Sequence, residues 1–317
     1  MTTPTSWMVR DDTSRATDDG VPPRREYHRV FAGDKRRIGR GILTIVLLAA
    51  ALIGFAVGLR DVADFVEAEY FGRDGYTPFN FAAGMLALGL LIPWSMVLQR
   101  VLYGVRAPSL HSVAQRFRFG MLGRGLLVLA PVWALTVTLA LAGPVERVPW
   151  TTVDLVAYLL ITVLLVPLAA AAEEYAYRGL MLRVIGSWTR NSTVGLVLGI
   201  AISSVAFALT HGTLDPYYLT WYVVLGASLA ILVWRTGGIE LAVLLHAVMN
   251  TVLFVLAGAV DGVPELLSAW LMFAVQTAIN FLVPSGSGQA ALTMPIMAPL
   301  GELVGVTRQT TVLAFQL

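Results

Sequence analysis

The chain has 317 residues, of which 57% are hydrophobic and only 13% charged, with a mean hydropathy of +0.73 and a formal net charge of +2. An ordinary soluble domain carries about 25% charged residues, so a water-soluble globular body is excluded. Cysteine is absent, which removes disulfide frameworks and thiol chemistry and leaves the redox compartment unread.

In chain order, Met1–Gly41 is polar, rich in Pro, Thr, Asp and Arg, and without apolar periodicity. It reads as a disordered basic tail, too long and too charged to be an ordinary cleaved signal peptide. Ionisable side chains are then missing from Ile42–Leu59, Phe79–Leu98, Leu126–Leu141, Leu155–Ala172, Val194–Leu209, Tyr217–Val233 and Leu266–Val283, while Ile239–Val260 holds only Glu240 and His246. Runs of about 17–25 apolar residues fit the ~30 Å that a helix must cross, and helices satisfy their own backbone as lipid requires. The predicted fold is an all-α polytopic transmembrane bundle of about eight spans.

Charge in the connecting segments sets the orientation. Arg24, Arg25, Arg29, Lys35, Arg36, Arg37 and Arg40 precede the first span, which puts the amino terminus in the cytoplasm of a multi-pass cell-membrane protein. Asp61, Asp64, Glu67, Glu69 and Asp74 follow on the outer side, and Arg100, Arg106, Arg116, Arg118 and Arg124 on the inner side. Arg178, Arg183, Arg190 and later Arg235 continue the alternation. The expected organisation is a tail (1–41), amino-terminal helices (42–150), a catalytic helical region (151–262) and an atypical carboxyl-terminal segment (263–317). The bilayer is the expected partner, with a peptide or membrane-protein substrate and no nucleic acid.

Ionisable residues inside membrane segments are expensive and usually face an internal cavity. Glu173-Glu174 follows an apolar run with Arg178 beyond it, His211 ends the run holding Phe207, and His246 sits within a span with Asn250. Glu174 with Arg178, Phe207 with His211, and His246 with Asn250 share the i,i+4 spacing of one helix face. The plainer readings are an interfacial cap, a loop histidine and a polar packing pair. If the fourth helix continues to about Gly186 and turns through Trp188–Asn191, Glu173 reaches the height of Ala208–His211. A turn at Thr236-Gly237-Gly238 would then carry His246 to roughly 14 Å depth. Such a cavity would suit peptide hydrolysis, with a desolvated carboxylate as general base and an imidazole or amide serving the leaving amine or oxyanion. Glu173, His211 and His246 are also a two-His-one-carboxylate set for zinc, although no H-E-x-x-H helix is present. Zinc and metal-free chemistry both stay open.

Those three pairs, in order on successive helices from about Leu155 to Val260, resemble the CAAX-protease and bacteriocin-processing family of intramembrane endopeptidases. The resemblance implies a glutamate- or metal-dependent protease in which Glu173 activates water with His211. His246 and Asn250 would hold water or the oxyanion, and Arg178 would pair with Glu174, with Phe207 in support.

The carboxyl terminus departs from that family. From about Phe273, the stretch Gln276–Gln289, with Asn280 and the tip Pro284-Ser285-Gly286-Ser287-Gly288, continues through Met294-Pro295-Ile296-Met297-Ala298-Pro299. It resembles an interior piece of bacterial C4-dicarboxylate or basic-amino-acid carriers, where a broken helix presents backbone N–H groups to an anionic substrate. A carrier would not end at Leu317, so a fusion or gene-boundary accident near Gly262–Trp270 is expected. A plain loop at Pro284–Gln289 is the simpler reading. The alternatives to the protease are accordingly a transporter or transporter-fusion fragment, or a non-catalytic membrane scaffold.

Overall fold

A computed structural model describes residues 26–33, 38–73, 76–128 and 151–259. Apart from short turns and loops, these residues are helical. Helix α1 (Ile38–Val66) widens into a π turn at Glu67–Phe71, closed by Gly72 in the left-handed conformation (φ 59°). Helix α2 (Pro78–Gly89) starts from a reciprocal cap, in which Thr77 Oγ1 accepts from the Asn80 N–H and the Asn80 side chain accepts from the Thr77 N–H, two orphan donors satisfied at once. It runs on past Leu90 into α3 (Leu91–Tyr103). Helix α4 (Thr152–Glu173) passes through a π segment, Glu174–Met181, into α5 (Leu182–Gly186). Helices α6 (Ser192–Leu209), α7 (Pro216–Thr236) and α8 (Glu240–Ala259) complete the series. The α6 and α7 amino termini are capped by the Asn191 and Asp215 side chains.

Five of these stretches are long and apolar enough to cross a membrane: Ile38–Phe71, Pro78–Tyr103, Thr152–Gly186, Ser192–Leu209 and Pro216–Thr236. Among the described residues the fold is all-helical, and the chain is a multi-pass membrane protein. Helix α8 and the short helix Phe119–Val128 are further apolar helices. The expected spans at Leu126–Leu141 and Leu266–Val283 fall largely or wholly outside the described residues. So do the suspected junction at Gly262–Trp270 and the segment Gln276–Leu300.

The chain divides into two compact units, Met1–Leu126 with Val156–Thr251, and Leu127–Leu155 with Val252–Leu317. Most of the second unit lies outside the described residues, and the packed helical core belongs to the first. Helix α6 packs closely because it is small where it meets α5. A Cβ at Gly195 would overlap the Gly186 carbonyl oxygen, and one at Gly199 would meet Leu182 Cδ1 at 2.9 Å. Small residues four apart let membrane helices approach in this way. The core beside this crossing is apolar and closed, with Leu180, Leu182, Ile185, Phe207, Ala230, Val233, Ile239 and Ala242 buried.

Two charge-based expectations change here. The stretch read as a disordered tail includes a packed piece: Tyr27, His28, Val30 and Phe31 are buried, and Phe31 stacks on Tyr103 at 3.9 Å. Arg29 donates to the carbonyls of Gly186 (2.9 Å) and Thr189 (2.7 Å), at and just beyond the end of α5. Averaging composition over 41 residues hid two aromatics with a place to go. Arg178 and Arg183, read as inner-side loop charges, are 0% and 1% exposed. The helix does not end at Glu173; it continues to Gly186 and carries both guanidinium groups inside.

Candidate functional site

The polar centre is assembled from five elements. Helix α4 ends on Glu173, and the π segment that follows supplies Glu174, Tyr177 and Arg178. Every residue of Glu174–Met181 is buried. Widened helical turns of this kind occur often at functional sites. Phe207 comes from α6, Tyr222 from α7 and His246 from α8.

Glu174 is the hub. Its Oε1 accepts from Arg178 Nη1 at 2.9 Å and from His246 Nδ1 at 2.8 Å. The side chains of Glu174 and Arg178 are fully buried and that of His246 nearly so. The other ring nitrogen, His246 Nε2, lies 3.3 Å from Glu173 Oε2. That approach is close enough for an ion pair but does not align as a hydrogen bond, and Glu173 Oε2 has no hydrogen-bond partner among the described residues. Glu174 Oε2 is likewise buried without one. Glu173 is the one carboxylate of this centre with an opening, its side chain 16% exposed.

Aromatic faces enclose the centre. The Arg178 guanidinium lies 4.1 Å from the Phe207 ring centroid, a cation–π arrangement strengthened by desolvation. Phe207 meets His211 edge-on at 4.7 Å and His246 at 5.7 Å. His211 stacks on Tyr222 at 3.7 Å, and its Nδ1–H donates to the Phe207 carbonyl at 2.8 Å, which leaves Nε2 as the acceptor of the neutral ring. Tyr177 donates to Thr210 Oγ1 at 3.1 Å. Gly226 on α7 makes room for this packing, since a Cβ there would sit 3.0 Å from Ser204 Cβ and 3.2 Å from Arg178 Nη2.

The expected pair Glu174–Arg178 is therefore formed, and Glu173 and His246 are brought together. Asn250 lies one turn along α8, half-buried. His211 is placed otherwise than expected: its hydrogen bond goes to the Phe207 carbonyl and its ring stacks on Tyr222, and Phe207 stands in edge contact with both imidazoles. Among the described residues no three His, Asp or Glu side chains are placed to hold a metal ion. Glu173, His211 and His246 are accordingly not gathered as a ligand set among the described residues. Tyr222 was missed because a tyrosine in an apolar block signals nothing by spacing.

A second buried polar group lies around Arg183. Its Nη1 donates to Gln99 Oε1 at 3.1 Å and to Ser109 Oγ at 3.3 Å, and its Nη2 to the Ser109 carbonyl. The Tyr27 ring covers the guanidinium at 3.9 Å, and burial pushes the Tyr27 hydroxyl up to about 12. Beside it His111 Nδ1 bonds the Tyr175 hydroxyl, and burial lowers the His111 pKa. The loop holding His111 is tied to the start of α8 by Ile239 N–H to His111 O at 3.0 Å and by Arg118, whose Nε and Nη2 each reach Glu240 at 2.7 Å.

Comparison with known proteins bears on the carboxyl-terminal part of the chain. Residues 196–317 match the family described as DcuC, C4-dicarboxylate anaerobic carrier. A protein of Escherichia coli (strain K12) named "Putative basic amino acid antiporter YfcC" is 38% identical over 145 residues, 46% of this chain and 26% of that protein. An uncharacterized protein of Haemophilus influenzae is 35% identical over 88 residues, 28% of this chain and 17% of the relative. The matched stretches thus span about a quarter or less of these curated relatives. No solved structure matches the chain.

These matches correct the leading expectation. The carrier match begins at residue 196, far ahead of Phe273, and takes in Phe207, His211, His246 and Asn250. Two of the three motif pairs behind the CAAX-protease resemblance therefore lie in sequence that matches a carrier. The membrane-embedded protease, with its glutamate- or metal-dependent hydrolysis and its peptide substrate, is overturned in favour of the transport alternative. The physical reason is that i,i+4 polar pairs in apolar helices record a charged site shielded from lipid; hydrolysis and solute binding require that equally.

Proposed function

We propose that this chain is part of a membrane carrier for small charged organic solutes, and that its buried polar centre is the charged site of that carrier. The observation that carries this reading is the match of residues 196–317 to a C4-dicarboxylate carrier family, supported by the likeness to a protein named as a basic amino acid antiporter. Dicarboxylates and basic amino acids are the candidate substrates on those names. Glu173, His211, His246 and Asn250, with Glu174, Arg178 and Phe207, form the centre. About eight spans with the amino terminus in the cytoplasm, as loop charge suggests, complete the topology. The centre is built on a widened π turn at Glu174–Met181, a helical irregularity frequent at functional sites.

The test is exchange of labelled succinate and labelled L-arginine by the purified full chain in proteoliposomes. The expected result is saturable counter-transport of one of them. Absence of flux above empty vesicles for both would overturn the reading.

A further inference from the structure

Residues 26–33 lie ahead of α1 and run as a strap across the ends of several helices. Tyr27–Arg29 makes one 3-10 turn, and side chains hold the strap in place. Tyr27 donates to the Leu110 carbonyl at 2.5 Å and covers the Arg183 guanidinium. Phe31 stacks on Tyr103 at the end of α3. Arg29 donates to the Gly186 and Thr189 carbonyls, and Ser187 Oγ donates to the His28 carbonyl at 3.3 Å. The seat is shaped to receive it. A Cβ at Gly186 would lie 2.7 Å from the His28 carbonyl oxygen, and one at Gly195 would lie 3.2 Å from Arg29 Nη1.

Docking has a cost at this seat. His28 Nδ1, Arg183 Nε and Trp188 Nε1 are buried without a hydrogen-bond partner among the described residues. Arg183 is held by Gln99, Ser109 and the Tyr27 ring, and no carboxylate among the described residues pairs with it. Buried groups left unpaired oppose the state that buries them, and water would serve them if the strap lifted.

His28 is the group whose charge shifts the balance. Its side chain is fully buried. The neutral ring donates Nε2–H to the Ser192 carbonyl at 3.3 Å, which leaves Nδ1 as a bare acceptor. A second proton would enter at Nδ1, where no acceptor meets it. The turn packs against α5, α6 and α7. Beside Arg29 in the strap itself, the charged residues of those elements and the α5–α6 turn are Arg183, Arg190 and Arg235, and α6 has none. Glu26, 4.0 Å from Nε2 and half exposed, is the single acid among them. Burial accordingly holds the His28 pKa below its ordinary value, with Glu26 opposing in part.

We propose that residues 26–33 are a releasable strap with His28 as its trigger, docked while the imidazole is neutral and lifted when it takes up a proton. Docked, the strap ties the ends of α3, α5 and α6 and the loop before His111 to one another. Lifted, it frees those ends and uncovers Arg183. No solute takes part in this step, so it stands apart from the transport reading.

The chain has no cysteine, so Val30→Cys places a single thiol on the buried side of the strap, where Val30 is 2% exposed. Ala32→Cys is the second reporter, also at a buried position. Maleimide labelling of the full chain in nanodiscs is compared at about pH 8 and about pH 5, either side of the ordinary histidine value. Arg100→Cys, at an exposed position on α3, corrects for the thiol's own pH dependence. Relative labelling of the strap should rise at least about tenfold at the lower pH, since one proton taken up on release shifts the equilibrium by up to about tenfold per pH unit. The rise should vanish when His28→Gln is added. Ala242→Cys, in the core on α8, should stay protected, which separates release from general unfolding. Strap labelling equal at both pH values, a rise that survives His28→Gln, or Ala242→Cys labelling that rises in step overturns the proposal.

Discussion

His246 Nδ1 lies 2.8 Å from Glu174 Oε1, across 72 residues of sequence, and the same oxygen is held from the other side by Arg178 at 2.9 Å. One carboxylate oxygen therefore joins the π segment to α8. All three side chains are out of water, so each depends on the others for the charge compensation that lipid and apolar side chains withhold.

That dependence orders two substitutions. Glu174→Gln strands the buried Arg178 guanidinium and should cost about 3–5 kcal/mol, the range for removing one partner of a buried pair. Glu173→Gln, at a partly open position, should leave the melting temperature in detergent nearly unchanged. Equal melting temperatures for the two variants would contradict this account of the hub.

Gly195 faces a backbone atom. Since a Cβ there would overlap the Gly186 carbonyl oxygen, which cannot rotate away, Gly195→Ala should force α5 and α6 apart at a cost of about 1–3 kcal/mol. Gly54, with nothing within 4 Å of its Cβ position, is the control: Gly54→Ala should be neutral or slightly stabilising. Thermal unfolding of both variants checks the contrast.

Glu240 accepts from Arg118 Nε and Nη2, each at 2.7 Å, and from the Arg118 backbone N–H at 3.0 Å. Its side chain is fully buried and Arg118 is 14% exposed. Arg118→Ala should loosen the start of α8, raising amide hydrogen exchange in residues 236–243 by at least about tenfold, as loss of more than about 1.4 kcal/mol of local stability implies. An unchanged exchange pattern would mean that Glu240 finds another donor.

His28 gives a pH dependence whose sign follows from burial. Its side chain is fully buried, and burial holds its pKa below the ordinary 6.5, opposed in part by Glu26. The unfolded chain therefore binds the proton first as pH falls. The contribution is present above about 6.5 and is lost as pH drops toward the lower folded value, with a slope of up to about 1.4 kcal/mol per pH unit. Melting temperature measured between pH 8 and pH 5 should fall, and His28→Gln should reduce the slope. A variant with the wild-type slope would remove His28 from the explanation.

Much of the framework is legible in the linear chain because hydrophobic length and helical spacing are local properties. Uncharged runs located the five described spans, and the fourth helix does reach Gly186, as the turn through Trp188–Asn191 required. Glu174 and Arg178 could be paired from i,i+4 spacing alone. What spacing does not encode is the use of a buried charge. Polar pairs that look like a hydrolytic centre look the same when they shield a solute site, and the relation of residues 196–317 to carriers was needed to separate the two.

The sequence by itself determined that this chain is helical, crosses the membrane several times and hides a few ionisable groups, because lipid demands an internally satisfied backbone and apolar runs of this length supply it as helices. Only the tertiary structure decided that His246 meets both Glu173 and Glu174, that His211 turns to Tyr222, and that Arg183 lies under Tyr27. Those partners sit on different helices, and their meeting depends on crossings set by Gly195, Gly199 and Gly226, where backbones approach closely enough for a few buried charges to find one another.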